Sequence, residues 1–216
     1  MPPNPGAGTL YVPPVASEIV PHPALRPLLA RLSAPDAALL AEAFAIARRA
    51  HAGQIRRQGT PYLDHLVEVA LILDEDLGVS DPAILAAGLL HDAVEDSPLT
   101  VDDLGAFPRR TRELVALLTD PEPMMTGGAR RAHYREIWKD PEATLLKAAD
   151  RLSNLRDVVA HGDPTFTRRY VRRTRREILG EGMPLAAHPV AAPLLRAALE
   201  AADPRRGRRR EVRGTS

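Results

Sequence analysis

Apolar side chains in this sequence recur three and four residues apart in one segment after another, and no run alternates polar with apolar for long. Residues i, i+3, i+4 and i+7 share one face of a helix, whereas a half-buried strand needs alternation. The pattern therefore predicts an all-α chain, a helical bundle forming a single domain. Asp36–His51 shows it well, with Leu39, Leu40, Ala43, Phe44, Ile46 and Ala47 on one side and Gly53 as a stop signal. Further helices are expected at Pro21–Leu32, His65–Leu77, Pro108–Leu118, Ala129–Trp138, Glu142–Val159, Thr165–Leu179 and Pro189–Ala202. Asp81–Pro82 reads as an N-cap followed by proline in the first turn, opening a helix that runs to about Asp96. Thr100 and Asp103 have capping-box spacing and open a short helix. Aromatic residues make up only 4% of the chain, so Leu, Ala, Val and Ile must fill the core. Leu and Ala are also strong helix formers.

Three polar clusters interrupt this apolar fabric. The run Ala86–Leu90 ends abruptly in His91-Asp92-Ala93-Val94-Glu95-Asp96. On a continuing helix these four ionisable residues project towards one side, and buried charge is costly unless it is paired or bound to a cation. Lys147, Asp150 and Asn154 follow i, i+3, i+7 spacing among the apolar residues of another helix. The third cluster, Gln54 to His65, puts Arg56, Arg57 and Tyr62 on a loop and His65 at a helix start. His65, His91, Asp92 and Asp150 together make a mixed nitrogen and oxygen donor set. Such a set suits Mn²⁺, Fe²⁺ or Zn²⁺ better than Ca²⁺. Four protein ligands leave open positions on an octahedral ion, the arrangement used for metal-assisted hydrolysis.

These segments resemble the hydrolase domain of RelA/SpoT-type alarmone enzymes, in particular the stand-alone small alarmone hydrolases of the HD superfamily. The resemblance rests on Ala50 to His65, Ala86 to Asp96 and Leu146 to Asp157, which span about half the chain in the family's order. It implies an HD phosphohydrolase domain over 17–203, with metal ligands at His65, His91, Asp92 and Asp150 and Mn²⁺ as the usual ion. It implies that Glu95 and Asp96 are the catalytic acids for water activation and proton transfer, without assigning the general base between them. Substrate contacts fall on Arg56, Arg57, Tyr62, Asn154 and Lys147. The implied reaction removes the 3′-diphosphate of the nucleotide (p)ppGpp, giving GDP or GTP and pyrophosphate. Arginine forks suit phosphate oxygens. The alternatives are a (p)ppApp hydrolase, an NADPH 2′-phosphatase, another HD nucleotide phosphohydrolase and a catalytically silent nucleotide sensor.

Two positions depart from the family's pattern. Leu66 stands where many relatives have proline after the ligand histidine. Glu122 stands near a position where relatives often carry lysine, and an acid there repels phosphate, so Arg130 or Arg131 is a candidate replacement cation. His51 lies near the first motif but reads as structural. The chain has no cysteine, which excludes disulfides, thiolate–zinc sites and a cysteine nucleophile. Residues 1–16 read as a disordered lead without signal-peptide character, and no apolar run is long enough to span a membrane. A cytoplasmic protein is expected, with a homo-oligomer open. Six arginines between Arg205 and Arg213 make 204–216 a basic tail. Such a tail reads as a solvated, disordered end rather than a nucleic-acid-binding element.

Overall fold

The computed structural model describes residues 21–57, 59–120, 127–161 and 163–202. The lead at 1–16, the tail at 204–216 and Glu122 lie outside them. Nine α-helices are found among the described residues: α1 Arg26–Arg31, α2 Ala34–Ala50, α3 Tyr62–Leu71, α4 Pro82–Leu90, α5 Arg109–Leu118, α6 Gly127–Ile137, α7 Pro141–His161, α8 Pro164–Glu177 and α9 Ala191–Ala201. There is no strand among those residues, only an isolated antiparallel bridge between Ile55 and Pro61 that pinches the loop before α3.

Helix starts follow the local chemistry. The Ser33 hydroxyl accepts from the Asp36 amide to cap α2, and Asp81 accepts from Ala83 N at 2.8 Å to cap α4. Asp163 accepts from both Thr165 N and Phe166 N at the start of α8. Each cap satisfies amides that the first turn leaves without a partner. The Thr100–Asp103 pair forms its reciprocal bonds and opens a short 3-10 turn, Asp102–Leu104.

Every residue of α4 from Ile84 to Leu90 is buried, so this helix has no polar face. It packs against α2, α3 and α5, while α7 packs against α3 and α9. Gly88 allows the close crossing of α3 and α4. A Cβ at that position would lie 2.9 Å from Leu73 Cδ1 and 3.4 Å from Ala70 Cα. The three helices α3, α4 and α7 thus meet in the core, with His65 on α3, Asp150 on α7 and the His91–Asp96 segment directly after α4.

Two expectations are corrected. The helix expected to continue to Asp96 stops at Leu90, and 91–96 are turns. The Ala93 amide takes the Leu90 carbonyl at an i−3 spacing, and the His91 ring takes the Gly88 carbonyl. These bonds tighten the chain and turn it out of the helix. The helix expected to begin at His65 begins at Tyr62, because Pro61 sits at its N-cap and Tyr62 N bonds back to Gln54 O.

Candidate metal centre

His65 and Asp150 sit within α3 and α7, and His91 follows the last residue of α4. One ring nitrogen from each histidine and one carboxylate oxygen of Asp150 lie within 4.8 Å of one another. The residues are 3%, 1% and 7% exposed, so their polar groups depend on one another or on a bound ion. Asp92 flanks this trio, with Oδ2 3.0 Å from His91 Nε2 and 3.7 Å from His65 Nε2. Asp150 Oδ1 is also 3.7 Å from His65 Nε2.

Hydrogen bonding fixes which nitrogen each histidine offers. Ser153 Oγ donates to Glu68 Oε2 at 2.7 Å, so it must accept from His65 Nδ1, 2.8 Å away. His91 Nδ1 lies 2.9 Å from the Gly88 carbonyl, which can only accept. Both rings are therefore held with the proton on Nδ1 and Nε2 turned towards the shared centre. His91 Nε2 is buried and makes no hydrogen bond of good geometry. Oriented imidazoles with an outer hydrogen-bond partner are the usual form of metal-ligating histidine. The donor set and this orphaned nitrogen fit a divalent cation.

The charges agree with that reading. Burial pushes the His91 pKa down, but the Asp92 carboxylate beside it outweighs this and raises the pKa to about 9. Burial opposes ionisation of Asp92, yet His91 and His65 hold its carboxyl well below the usual range. For Asp150 burial is again overcome, first by Lys147 and then by the histidines, giving about 2. Lys147 Nζ pairs with Asp150 Oδ2 at 2.9 Å and lies over the Tyr134 ring. Asn154 Nδ2 donates to the other oxygen, Asp150 Oδ1.

Tyr62 Oη donates to Asp92 Oδ2 at 2.7 Å. Its ring stacks on His51 at 4.7 Å between centroids. Burial, the Asp92 charge and this hydrogen bond all raise the Tyr62 pKa, so it stays a phenol donor. His51 holds Gln54 through Nδ1 at 2.8 Å, and Gln54 Nε2 reaches the Asp96 carbonyl at 3.1 Å. The histidine read as structural thus buttresses Tyr62 and the turn that carries the acids. Glu95 and Asp96 are exposed at the rim of the centre. Desolvation and the neighbouring Asp92 charge raise both pKa values, against a hydrogen bond from Asp120 N to Glu95.

A cleft of about 190 Å³ adjoins this centre, lined by Arg56, Arg57, Tyr62, Asn154, Phe166 and Tyr170. Arg56 Nη2 donates to Asn154 Oδ1 at 2.7 Å and lies 3.3 Å from Asp157 Oδ2. The Arg57 guanidinium lies 4.9 Å from the centre of the Phe166 ring. Arg56, Arg57, Tyr62 and Asn154 are therefore brought together, whereas Lys147 is not among the residues lining the cleft. Arg131 lines a separate cavity with Tyr134 and Trp138.

Sequence reasoning missed Ser153, Glu68, Asp157, Phe166 and Tyr170. Ser153 lay inside a motif already singled out, and its position next to Asn154 was the available signal. Phe166 and Tyr170 share one face of α8 at i, i+4 spacing, but aromatic residues at that spacing are more often core.

Comparison with known proteins places these features among relatives. The HD domain family matches residues 43–186. The human guanosine-3′,5′-bis(diphosphate) 3′-pyrophosphohydrolase MESH1 is 39% identical over 127 residues, covering 57% of this chain and 71% of that protein. A GTP pyrophosphokinase of Streptomyces antibioticus is 37% identical over 172 residues, covering 72% of this chain but 19% of that protein. A guanosine-3′,5′-bis(diphosphate) 3′-pyrophosphohydrolase of Vibrio cholerae is 33% identical over 185 residues, with 82% and 26% covered. The solved structure of a metazoan ortholog of SpoT that hydrolyses ppGpp superposes with a TM-score of 0.60 at 24% identity. The match covers 78% of this chain and 96% of that one, and it shows a shared fold.

Proposed function

This chain belongs to the HD domain family, and from that premise we propose that it is a metal-dependent hydrolase removing the 3′-diphosphate of the alarmone (p)ppGpp. The observation that carries the proposal is a buried His65–His91–Asp150 cluster beside a cleft lined by two arginines, a tyrosine and an asparagine. MESH1 and the Vibrio cholerae relative, both named for this reaction, support the choice of substrate.

In this reading His65, His91, Asp92 and Asp150 hold a divalent cation, with Mn²⁺ preferred by family resemblance and Fe²⁺ or Zn²⁺ compatible with the donor set. A cation bound there supplies Lewis acidity towards a phosphoryl oxygen and makes water easier to deprotonate. The protein's own residues do the rest. Arg56 and Arg57 grip the diphosphate through guanidinium forks. Asn154 orients Arg56, and Tyr62 packs against the nucleoside while donating to Asp92. Glu95 and Asp96, with pKa values raised by partial desolvation and by Asp92, are suited to take a proton from attacking water and return it to the leaving side. Asp157 pairs with Arg56 and sets its position. A second hollow, of about 310 Å³, shares Phe166 and Tyr170 with the cleft and adds Arg169 and Arg173, which suits the 5′-phosphates of the same nucleotide.

The test is incubation with Mn²⁺ and, separately, ppGpp, ppApp and NADPH, with products resolved by chromatography. GDP and pyrophosphate from ppGpp, absent with Asp92→Ala, are expected. Preferred release from ppApp would reassign the base, and phosphate from NADPH alone would reassign the reaction. No turnover of any of the three with metal bound would remove the alarmone reading and leave another nucleotide substrate or a silent sensor.

A further inference from the structure

His51 caps the C-terminal end of α2 and is 3% exposed. It touches two parts of the site that lie far apart in sequence. Its ring face stacks on Tyr62 with the planes 9° from parallel, and Tyr62 both lines the cleft and donates to Asp92. Its ring edge meets Gln54 Oε1 through Nδ1, and Gln54 Nε2 bonds the Asp96 carbonyl across 42 positions of sequence. We propose that His51 and Gln54 are positioning residues for the reaction, a strut that ties the seat of Tyr62 in the cleft to the turn carrying Glu95 and Asp96.

The direction of each bond follows from the chemistry of its ends. The Asp96 carbonyl can only accept, so the amide nitrogen of Gln54 faces it and Oε1 faces His51. Oε1 in turn can only accept, so His51 Nδ1 carries the proton. Nε2 is left as a bare acceptor, buried and with no hydrogen-bond partner among the described residues. The polar contribution of His51 is thus its single Nδ1–H.

Main-chain bonds make one end of the strut stiff. Gln54 N donates to His51 O at 3.1 Å, and Gln54 O accepts from Tyr62 N at 3.0 Å. The turn at the other end is held more lightly. Asp96 N bonds Asp92 O within the turn, and Asp120 N reaches Glu95 Oε2 at 3.2 Å. The Gln54 amide anchors the last residue of the turn to the loop before α3. Misplacing a reacting group by about 1 Å can cost about 100-fold in rate. Cutting the strut therefore lowers kcat, while His65 and His91 keep their own supports in Ser153 and the Gly88 carbonyl. The inference rests on the reading of Glu95 and Asp96 as the catalytic acids of a hydrolase.

Two substitutions cut the strut and leave a ring or side chain of similar length in place. His51→Phe keeps the stack on Tyr62 and loses Nδ1–H. Gln54→Met loses both side-chain bonds. Gln54 is partly exposed, so Gln54→Met carries the test if His51→Phe fails to fold. With ppGpp and Mn²⁺, each should lower kcat about tenfold or more, while KM and Mn²⁺ affinity change by less than about threefold. The double variant should be no worse than the more severe single, because both cut one link. His51→Ala also removes the stack and should raise KM as well. Amide hydrogen exchange of the metal-free full chain needs no turnover. Peptides covering 91–97 should exchange about three to ten times faster in both variants, with unchanged core exchange and melting midpoint. Unchanged exchange over 91–97 overturns the proposal whatever the substrate is. Where the wild type turns over ppGpp, so does a normal kcat, additive losses in the double variant, or a fall in kcat matched by a fall in Mn²⁺ affinity. A wild type that leaves ppGpp intact removes the substrate reading alone, and exchange over 91–97 then decides whether the strut holds the turn.

Discussion

Ser153→Ala removes one oxygen from the relay that orients His65. In the structure Ser153 is fully buried, accepts from His65 Nδ1 at 2.8 Å and donates to Glu68 Oε2 at 2.7 Å. Alanine fits the same space. Glu68 is not stranded, since it also pairs with Arg156 and is about one-third exposed. The loss therefore falls on the His65 N–H, a buried donor left without an acceptor, at about 1–3 kcal/mol. Freed of that bond, the ring can rotate or switch tautomer, and outer-shell changes of this kind lower metal affinity about 10–100-fold, or roughly 1.4–2.7 kcal/mol. Calorimetric titration of chelator-treated protein with Mn²⁺ measures the affinity, and thermal unfolding of the same sample measures the stability. Unchanged affinity in Ser153→Ala, with binding abolished in His65→Ala, would refute the reasoning. It would mean that packing alone orients the ring.

Other perturbations test neighbouring parts of the account. Without a cation, the folded His91 pKa of about 9 lies above its ordinary 6.5. Its contribution to stability is therefore complete below 6.5 and lost as pH rises through about 9, so the melting difference between wild type and His91→Gln in chelator should shrink across that window. For the same reason Mn²⁺ binding at neutral pH should release about one proton, read by calorimetry in buffers of different ionisation enthalpy. Arg56→Ala should raise KM for ppGpp about tenfold or more with a smaller change in kcat, while Mn²⁺ affinity stays constant. A loss of metal binding there would contradict the separation of cleft and centre. Gly88→Val forces side-chain carbons against Leu73 and Ala70 and should destabilise the fold by about 1–3 kcal/mol in denaturant titrations. Adding Leu73→Ala should recover part of that loss.

Helix type and position were legible because each helix buries a periodic apolar face, or in α4 an entire surface. The donor set was legible because buried histidine and aspartate in an apolar run demand a partner. The end of α4 was not. Residue spacing extends a helix through 91–96, but it cannot show the His91 ring bonding to Gly88 O or the Ala93 amide choosing an i−3 carbonyl. The pairing of Arg56 with Asn154 and Asp157 was equally hidden, since it joins residues 98 and more positions apart that only the α3–α7 packing unites. The separation of Arg131 from the cleft is of the same kind. Its proximity in sequence to Glu122 suggested a compensating cation, but α6 carries it to the cavity beside Trp138.

The central claim is that one cation held by His65, His91, Asp92 and Asp150 drives release of pyrophosphate from ppGpp. Its most direct test is pyrophosphate release by chelator-stripped protein as Mn²⁺ is added back. The account predicts no release before addition, a rise that saturates at one bound ion per chain, and no rise with Asp92→Ala or Asp150→Ala. Full release by the stripped protein, or normal turnover in either variant, would contradict it.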